Sequence, residues 1–175
     1  ALPNENKVWV TQHSMVGELS QPAFGDPYQT VSSPSFVDQT PLGVLVISEG
    51  DHAVYLNGSA FPLITDVHGG KDAVVEDFDA DGDYDIAIAT TYGCHITYYE
   101  NNAGFFTPRC LAPLASTYTR PTAADLNNDG LVDVLAPQYA GITWYQALGA
   151  GNFSEAIPIE LDWHVFSAAA ADMDN

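Results

Sequence analysis

A nine-residue acidic segment occurs twice in this chain at a wide, regular spacing. That repetition restricts the fold to architectures that stack copies of one unit. Asp77-Phe78-Asp79-Ala80-Asp81-Gly82-Asp83-Tyr84-Asp85 runs into the apolar stretch Ile86-Ala87-Ile88-Ala89. Asp125 lies 48 positions after Asp77 and opens Asp125-Leu126-Asn127-Asn128-Asp129-Gly130-Leu131-Val132-Asp133, followed by Val134-Leu135-Ala136. A third copy opens 47 positions after Asp125 with Asp172-Met173-Asp174-Asn175, where the sequence stops.

Other features keep the same beat. Aromatic residues recur at Trp9, Tyr55, Tyr98 and Trp144, and small residues precede each acidic loop at Ala73, Ala123-Ala124 and residues 168–171. Phe36-Val37-Asp38 marks an earlier copy whose loop, Gln39-Thr40-Pro41-Leu42-Gly43, has lost the acids. The intervening segments are short, rich in Val, Ile, Tyr and Ala, and bounded by Gly, Asn, Asp or Pro, which predicts short antiparallel strands. Four strands per unit at this period predict an all-β fold of β-propeller blades, each of four antiparallel strands. The small residues before each loop mark the innermost strand, where blades crowd round the axis, and the aromatics are expected as core between stacked blades. The approximate units are 1–34 (partial and degenerate), 35–72 (degenerate), 73–120 and 121–167 (each with an acidic loop), and 168–175. That is about four blades or fewer, so a partial propeller is expected, completed by more of the same polypeptide or by another chain.

The pattern Ala-Asp-x-Asn/Asp-x-Asp-Gly-x-x-Asp, with an apolar strand, Ile-Thr-Trp/Tyr-Tyr and a Gly-Asn-Phe turn, resembles the FG-GAP/VCBS repeat, the blade of integrin-α-like calcium-binding β-propellers. The resemblance is close over about residues 70–175 and fainter, though in phase, over 8–69.

The loop chemistry points the same way. Calcium takes roughly six to eight oxygens, which a tight loop offers best at alternating positions. Asp77, Asp79, Asp81, the carbonyl of Asp83, and Asp85 supply such a set, with Gly82 at the sharp turn. Asp125, Asn127, Asp129, the carbonyl of Leu131, and Asp133 repeat it, and Asp172 and Asp174 begin a third. Two complete Ca2+ sites and one truncated site are therefore expected, with magnesium less suited because it demands a near-ideal octahedron. An EF-hand would carry Glu at the twelfth position, where Ile88 and Ala136 stand. Ten of the sixteen Asp residues lie in these three segments, where they would repel one another strongly without a cation.

Cys94 and Cys110 flank a hairpin turn at residues 101–104 and are expected to face each other across neighbouring strands. They are read as a disulfide of an oxidising compartment, the alternative being two buried thiols. Asn57-Gly58-Ser59 and Asn152-Phe153-Ser154 are glycosylation sequons that also carry turn signals. His52 and His95 occupy matching repeat positions, while His13, His68 and His164 have no metal-ligand spacing.

Four Lys and Arg against 23 Asp and Glu give a net charge of −19. That excludes nucleic acid as partner, because phosphate backbones demand basic patches. No apolar run reaches the roughly 20 residues of a spanning helix. No nucleophile elbow, phosphate-cradling loop or His-Glu-x-x-His occurs. The expected function is a non-catalytic calcium-binding module of a secreted or cell-surface protein, serving adhesion, recognition or assembly with a protein or glycan ligand. The alternatives are a calcium-dependent lectin-like propeller, or the non-catalytic portion of a polysaccharide lyase or phospholipase-type enzyme.

Overall fold

The computed structural model describes residues 33–112, 120–138, 141–160, 165 and 168–170. Asp172, Asp174 and almost all of the 1–34 unit lie outside them. Among the described residues all regular structure is β-strand, arranged as successive four-stranded antiparallel sheets that do not close into a ring.

The first sheet holds β1 (Pro34–Thr40), β2 (Gly43–Ser48), β3 (Ala53–Leu56) and β4 (Ile64–Thr65), side by side in chain order. The second repeats the plan with β5 (Gly70–Glu76), β6 (Asp85–Thr90), β7 (Ile96–Asn102) and β8 (Phe105–Ala112). The third is built from β9 (Thr122–Ala124), β10 (Asp133–Gln138), β11 (Gly141–Tyr145) and β14 (Ile157–Glu160). Its outer hairpin is interrupted at Gln146 and continues as the small pair β12 (Ala147–Gly149) and β13 (Asn152–Phe153).

Each sheet packs face to face on the next, as the apolar pattern requires. Strand β6 is buried along its whole length, so it reads as a continuous apolar run rather than an alternating one. Its two faces differ. Ile86 and Ile88 join Leu45, Ile47, Val54, Val75 and Tyr99 in the core between the first and second sheets. Ala87 faces the third sheet and leaves room for Phe78, Tyr98 and Phe153, whose rings meet edge to face at centroid distances of 5.4–6.0 Å.

The first strands of the three sheets, β1, β5 and β9, border one cleft of about 500 Å3, which residues 168–170 also line. Thr122 Oγ donates to the carbonyl of Ala168 at 2.7 Å, which sets that segment beside β9. The small residues Ala73 and Ala123 thus stand where the sheets converge, on the innermost strands.

One repeat assignment shifts by a residue. Tyr55 pairs across to Val46 and is only half-buried, whereas its neighbours Val54 and Leu56 face the second sheet. Because strand side chains alternate, Tyr55 points away from the core that Tyr98 occupies in the next blade.

Candidate metal centres

Both complete acidic segments connect the first strand of a sheet to the second. In the first sheet that connection shrinks to Pro41 and Leu42, between β1 and β2. In the second and third sheets it spans the segments from Asp77 and Asp125 up to Asp85 and Asp133, which begin β6 and β10.

The two loops share the same turn-forming bonds from backbone amides to side-chain oxygens. Asp77 Oδ1 accepts from Asp81 N at 3.2 Å and its Oδ2 from Gly82 N at 3.1 Å. Asp125 does the same for Asp129 N at 3.1 Å and Gly130 N at 2.8 Å. Asp79 Oδ1 accepts from Asp81 N, and Asn127 Oδ1 from Asp129 N, at 3.1 and 3.0 Å. Asp81 and Asp129 each cap the amide two residues on. Left-handed backbone recurs at the fourth and sixth positions: Ala80 (φ 63°) and Gly82 (98°), then Asn128 (62°) and Gly130 (87°). Glycine carries this conformation without a Cβ clash and Asn tolerates it, but Ala80 does not relieve it.

The ninth position is the fixed end of each loop. Asp85 and Asp133 are fully buried. Asp85 Oδ2 accepts from Phe78 N at 3.1 Å and from the Tyr98 hydroxyl at 3.0 Å, and its Oδ1 accepts from Asn101 N at 2.8 Å. Asp133 accepts from Leu126 N at 3.1 Å and Ala147 N at 2.7 Å. Asp85 therefore ties its loop to β7, the third strand of its sheet, and Asp133 ties its loop to β12, just past the end of β11. The sequence pattern had marked these two as ligands only and gave no sign of the strand contacts, nor of Tyr98 as a partner.

Carboxylate oxygens of Asp77, Asp79 and Asp85 converge to within 4.8 Å of one another, a spacing that a single cation can span. Asp81 and Asp83 stand outside that group. Asp83 Oδ2 accepts from Ala103 N at 3.3 Å, while its buried Oδ1 has no hydrogen-bond partner among the described residues. Burial pushes Asp79 up from an ordinary 3.8 to about 6, against the hydrogen bond from Asp81 N and with the charges of Asp85, Asp81 and Asp77 adding to it. Burial also raises Asp85, in spite of the donors around it. In the second loop Asp129 is lowered, first by the Leu131 amide and then by Asn127. Three converging carboxylates, of which burial makes Asp79 and Asp85 resist ionisation, are all hard oxygen donors and fit a divalent cation such as Ca2+.

The cysteines lie at the opposite end of the second sheet, with Sγ atoms 2.14 Å apart. They are not cross-strand neighbours. The hairpin turns at Ala103 and Gly104, both with positive φ, so Cys110 on β8 faces Thr97, and Cys94 reaches it from the loop before β7. Asn57, in an exposed turn, and Asn152, exposed at the start of β13, both spend their amides on nearby backbone. Asn57 Oδ1 accepts from Val44 N at 2.9 Å, and Asn152 Nδ2 donates to Gly149 and Ala150 carbonyls at 3.2 and 3.1 Å.

Compared with known families, residues 77–136 and again residues 125–175 match the family model described as the FG-GAP-like repeat. No curated protein and no solved structure matches the chain.

Proposed function

Because the chain belongs to the FG-GAP-like repeat family, we propose that it is a non-catalytic, calcium-binding propeller module of an extracellular protein, used in adhesion, recognition or assembly. The convergence of the Asp77, Asp79 and Asp85 carboxylates carries the reading. In the first loop Asp77, Asp79 and Asp85 would hold the ion; in the second Asp125, Asn127 and Asp133 hold the equivalent places. When bound, Ca2+ would supply the positive charge that offsets the repulsion among the converging carboxylates. The residues themselves fix the geometry: Asp85 and Asp133 anchor each loop to the sheet, and Asp81 and Asp129 hold the turn. The role is structural, keeping two adjacent strands and their connection in register. The Cys94–Cys110 pair supports an oxidising, extracellular setting.

The partner proposed first is the rest of a propeller. Phe78 and Ala112, on the side of the second sheet that the third covers, are 1% and 0% exposed. Their repeat counterparts on the third sheet, Leu126 and Ile159, are 39% and 40% exposed. Trp144, the counterpart of Tyr98, is half-buried, and its buried Nε1 has no hydrogen-bond partner among the described residues. A further blade would cover that face as the third sheet covers the second.

Calorimetric titration of chelator-treated protein tests the calcium reading. Two ions should bind, Asp129→Ala should remove about one by releasing the turn that Asp129 caps, and chelation should lower the melting temperature. A melting curve indifferent to chelator overturns it.

A further inference from the structure

At the end of the sheets away from the acidic loops, two imidazoles meet that the repeat pattern left unconnected. His52 lies in the turn between β2 and β3, and His68 in the connection from β4 to β5. In antiparallel sheets successive connections alternate ends, so both stand opposite the Asp77 loop. Their ring centroids are 4.4 Å apart with planes inclined at 46°. We propose that His52 and His68 form a site for an imidazole-seeking divalent transition ion, of the Zn2+ or Cu2+ class, separate from the calcium loops.

The pair is held by the frame rather than by chance contact of two mobile side chains. Val67 N donates to the carbonyl of His52 at 2.8 Å, which ties the two loops together at His52 itself and one residue before His68. Val67 and Ala53, the neighbours of the two histidines, are 1% and 2% exposed and root both loops in the core. Gly69, next to His68, accepts at its carbonyl from Thr91 N at 2.9 Å, so the second sheet braces the same connection. His52 itself is left-handed, with φ 52°, a conformation that a β-carbon makes costly.

The chemistry selects the ion. Imidazole nitrogen suits Zn2+, Cu2+ and Ni2+, whereas calcium takes oxygen. Two nitrogens bound to one tetrahedral ion at ordinary Zn–N lengths lie roughly 3.3 Å apart, a spacing the two rings would take up by turning out of their tilted contact. Both rings are solvent-exposed, so water completes the coordination shell. Asp51 and Asp66 precede His52 and Val67 in these loops, and with the chain's net charge of −19 they raise the local cation concentration.

The test uses the full chain saturated with Ca2+, so that the acidic loops are occupied and any further binding is read separately. Zn2+ titrated by calorimetry should bind with one-to-one stoichiometry. His52→Asn, which keeps a residue suited to left-handed backbone, and His68→Ala should each weaken it by about tenfold or more. His95→Ala, at the matching position of the second sheet, should leave it unchanged. In the unaltered protein, substoichiometric Cu2+ should broaden the imidazole NMR signals of His52 and His68 before those of the other histidines. Zn2+ binding of unaltered strength in both His52→Asn and His68→Ala, or no preferential broadening of the pair, overturns the proposal. Calcium stoichiometry, measured on the same variants, stays at two whichever way the zinc result falls.

Discussion

Tyr98 donates its hydroxyl to Asp85 Oδ2 at 3.0 Å from inside the packing between the second and third sheets. The blade interface and the floor of the acidic loop are therefore one structure: the residue that fills the core also orients the carboxylate. Burial, with the Asp85 charge next, keeps that hydroxyl protonated far above its ordinary range.

Removing only the hydroxyl separates these two duties. Tyr98→Phe keeps the ring against Phe78 and Phe153 but leaves Asp85 with its two backbone donors. The expected cost is about 1–2 kcal/mol in denaturant unfolding, with weaker calcium binding at one of the two sites. Unchanged affinity at both would show that Asp85 needs no side-chain partner.

The raised Asp79 sets a sign for pH. In metal-free protein the folded chain holds this proton up to about pH 6, while the unfolded chain releases it near 3.8. Between those values the folded state binds more protons, so this contribution is fully present below about pH 4 and is lost as pH rises through 6. Asp85, also raised, acts with the same sign. Thermal melts of chelator-treated protein should therefore show this stabilisation fading from pH 4 to 7. With calcium present the trend should reverse, since protons then compete with the ion.

The loops differ at the third position, Asp79 against Asn127, although the backbone bonds match. Asn127→Asp adds a carboxylate to a frame already shaped for one. It should tighten calcium binding at the second loop and, by repulsion, lower the melting temperature of the metal-free form. Calorimetry and melting in chelator read the two effects apart.

Ala80 occupies a left-handed position that Asn128 fills in the other loop. Replacing it by Gly, which has no Cβ to clash, or by Asn, which tolerates left-handed backbone, should stabilise the protein by about 1 kcal/mol, measured in denaturant.

The Cys94–Cys110 link closes a segment of sequence separation 16. Replacing both by Ser should cost about 3 kcal/mol on loop-entropy grounds. The loss should track treatment of the unaltered chain with reductant and alkylating agent, seen as a matching fall in melting temperature.

How much of this was legible in the sequence depends on how local each feature is. The acidic loops bond within themselves, from Asp77 to Gly82 and from Asp125 to Gly130, so nine consecutive residues carry their geometry. The four-stranded units were legible because β-period runs and turn residues recur at one spacing. Tyr55 was misplaced because spacing alone does not fix which face a strand turns, and one residue of slip reverses it. The cysteine pairing was anticipated, but the turn lies at Ala103 and Gly104 rather than centred on Asn102, so Cys94 reaches Cys110 from a loop. The Tyr98–Asp85 bond and the His52–His68 contact left no trace in spacing. Each joins segments whose separation is set by sheet packing.

The two-residue connection at Pro41 and Leu42 has a consequence for which blades depend on cations. The first sheet joins β1 to β2 without an acidic turn, so no carboxylate repulsion opposes its hydrogen bonding when calcium is withdrawn. Its apolar face, with Leu45, Ile47 and Val54, is covered by the second sheet, so disorder in the neighbouring loop would reach it only through that shared core.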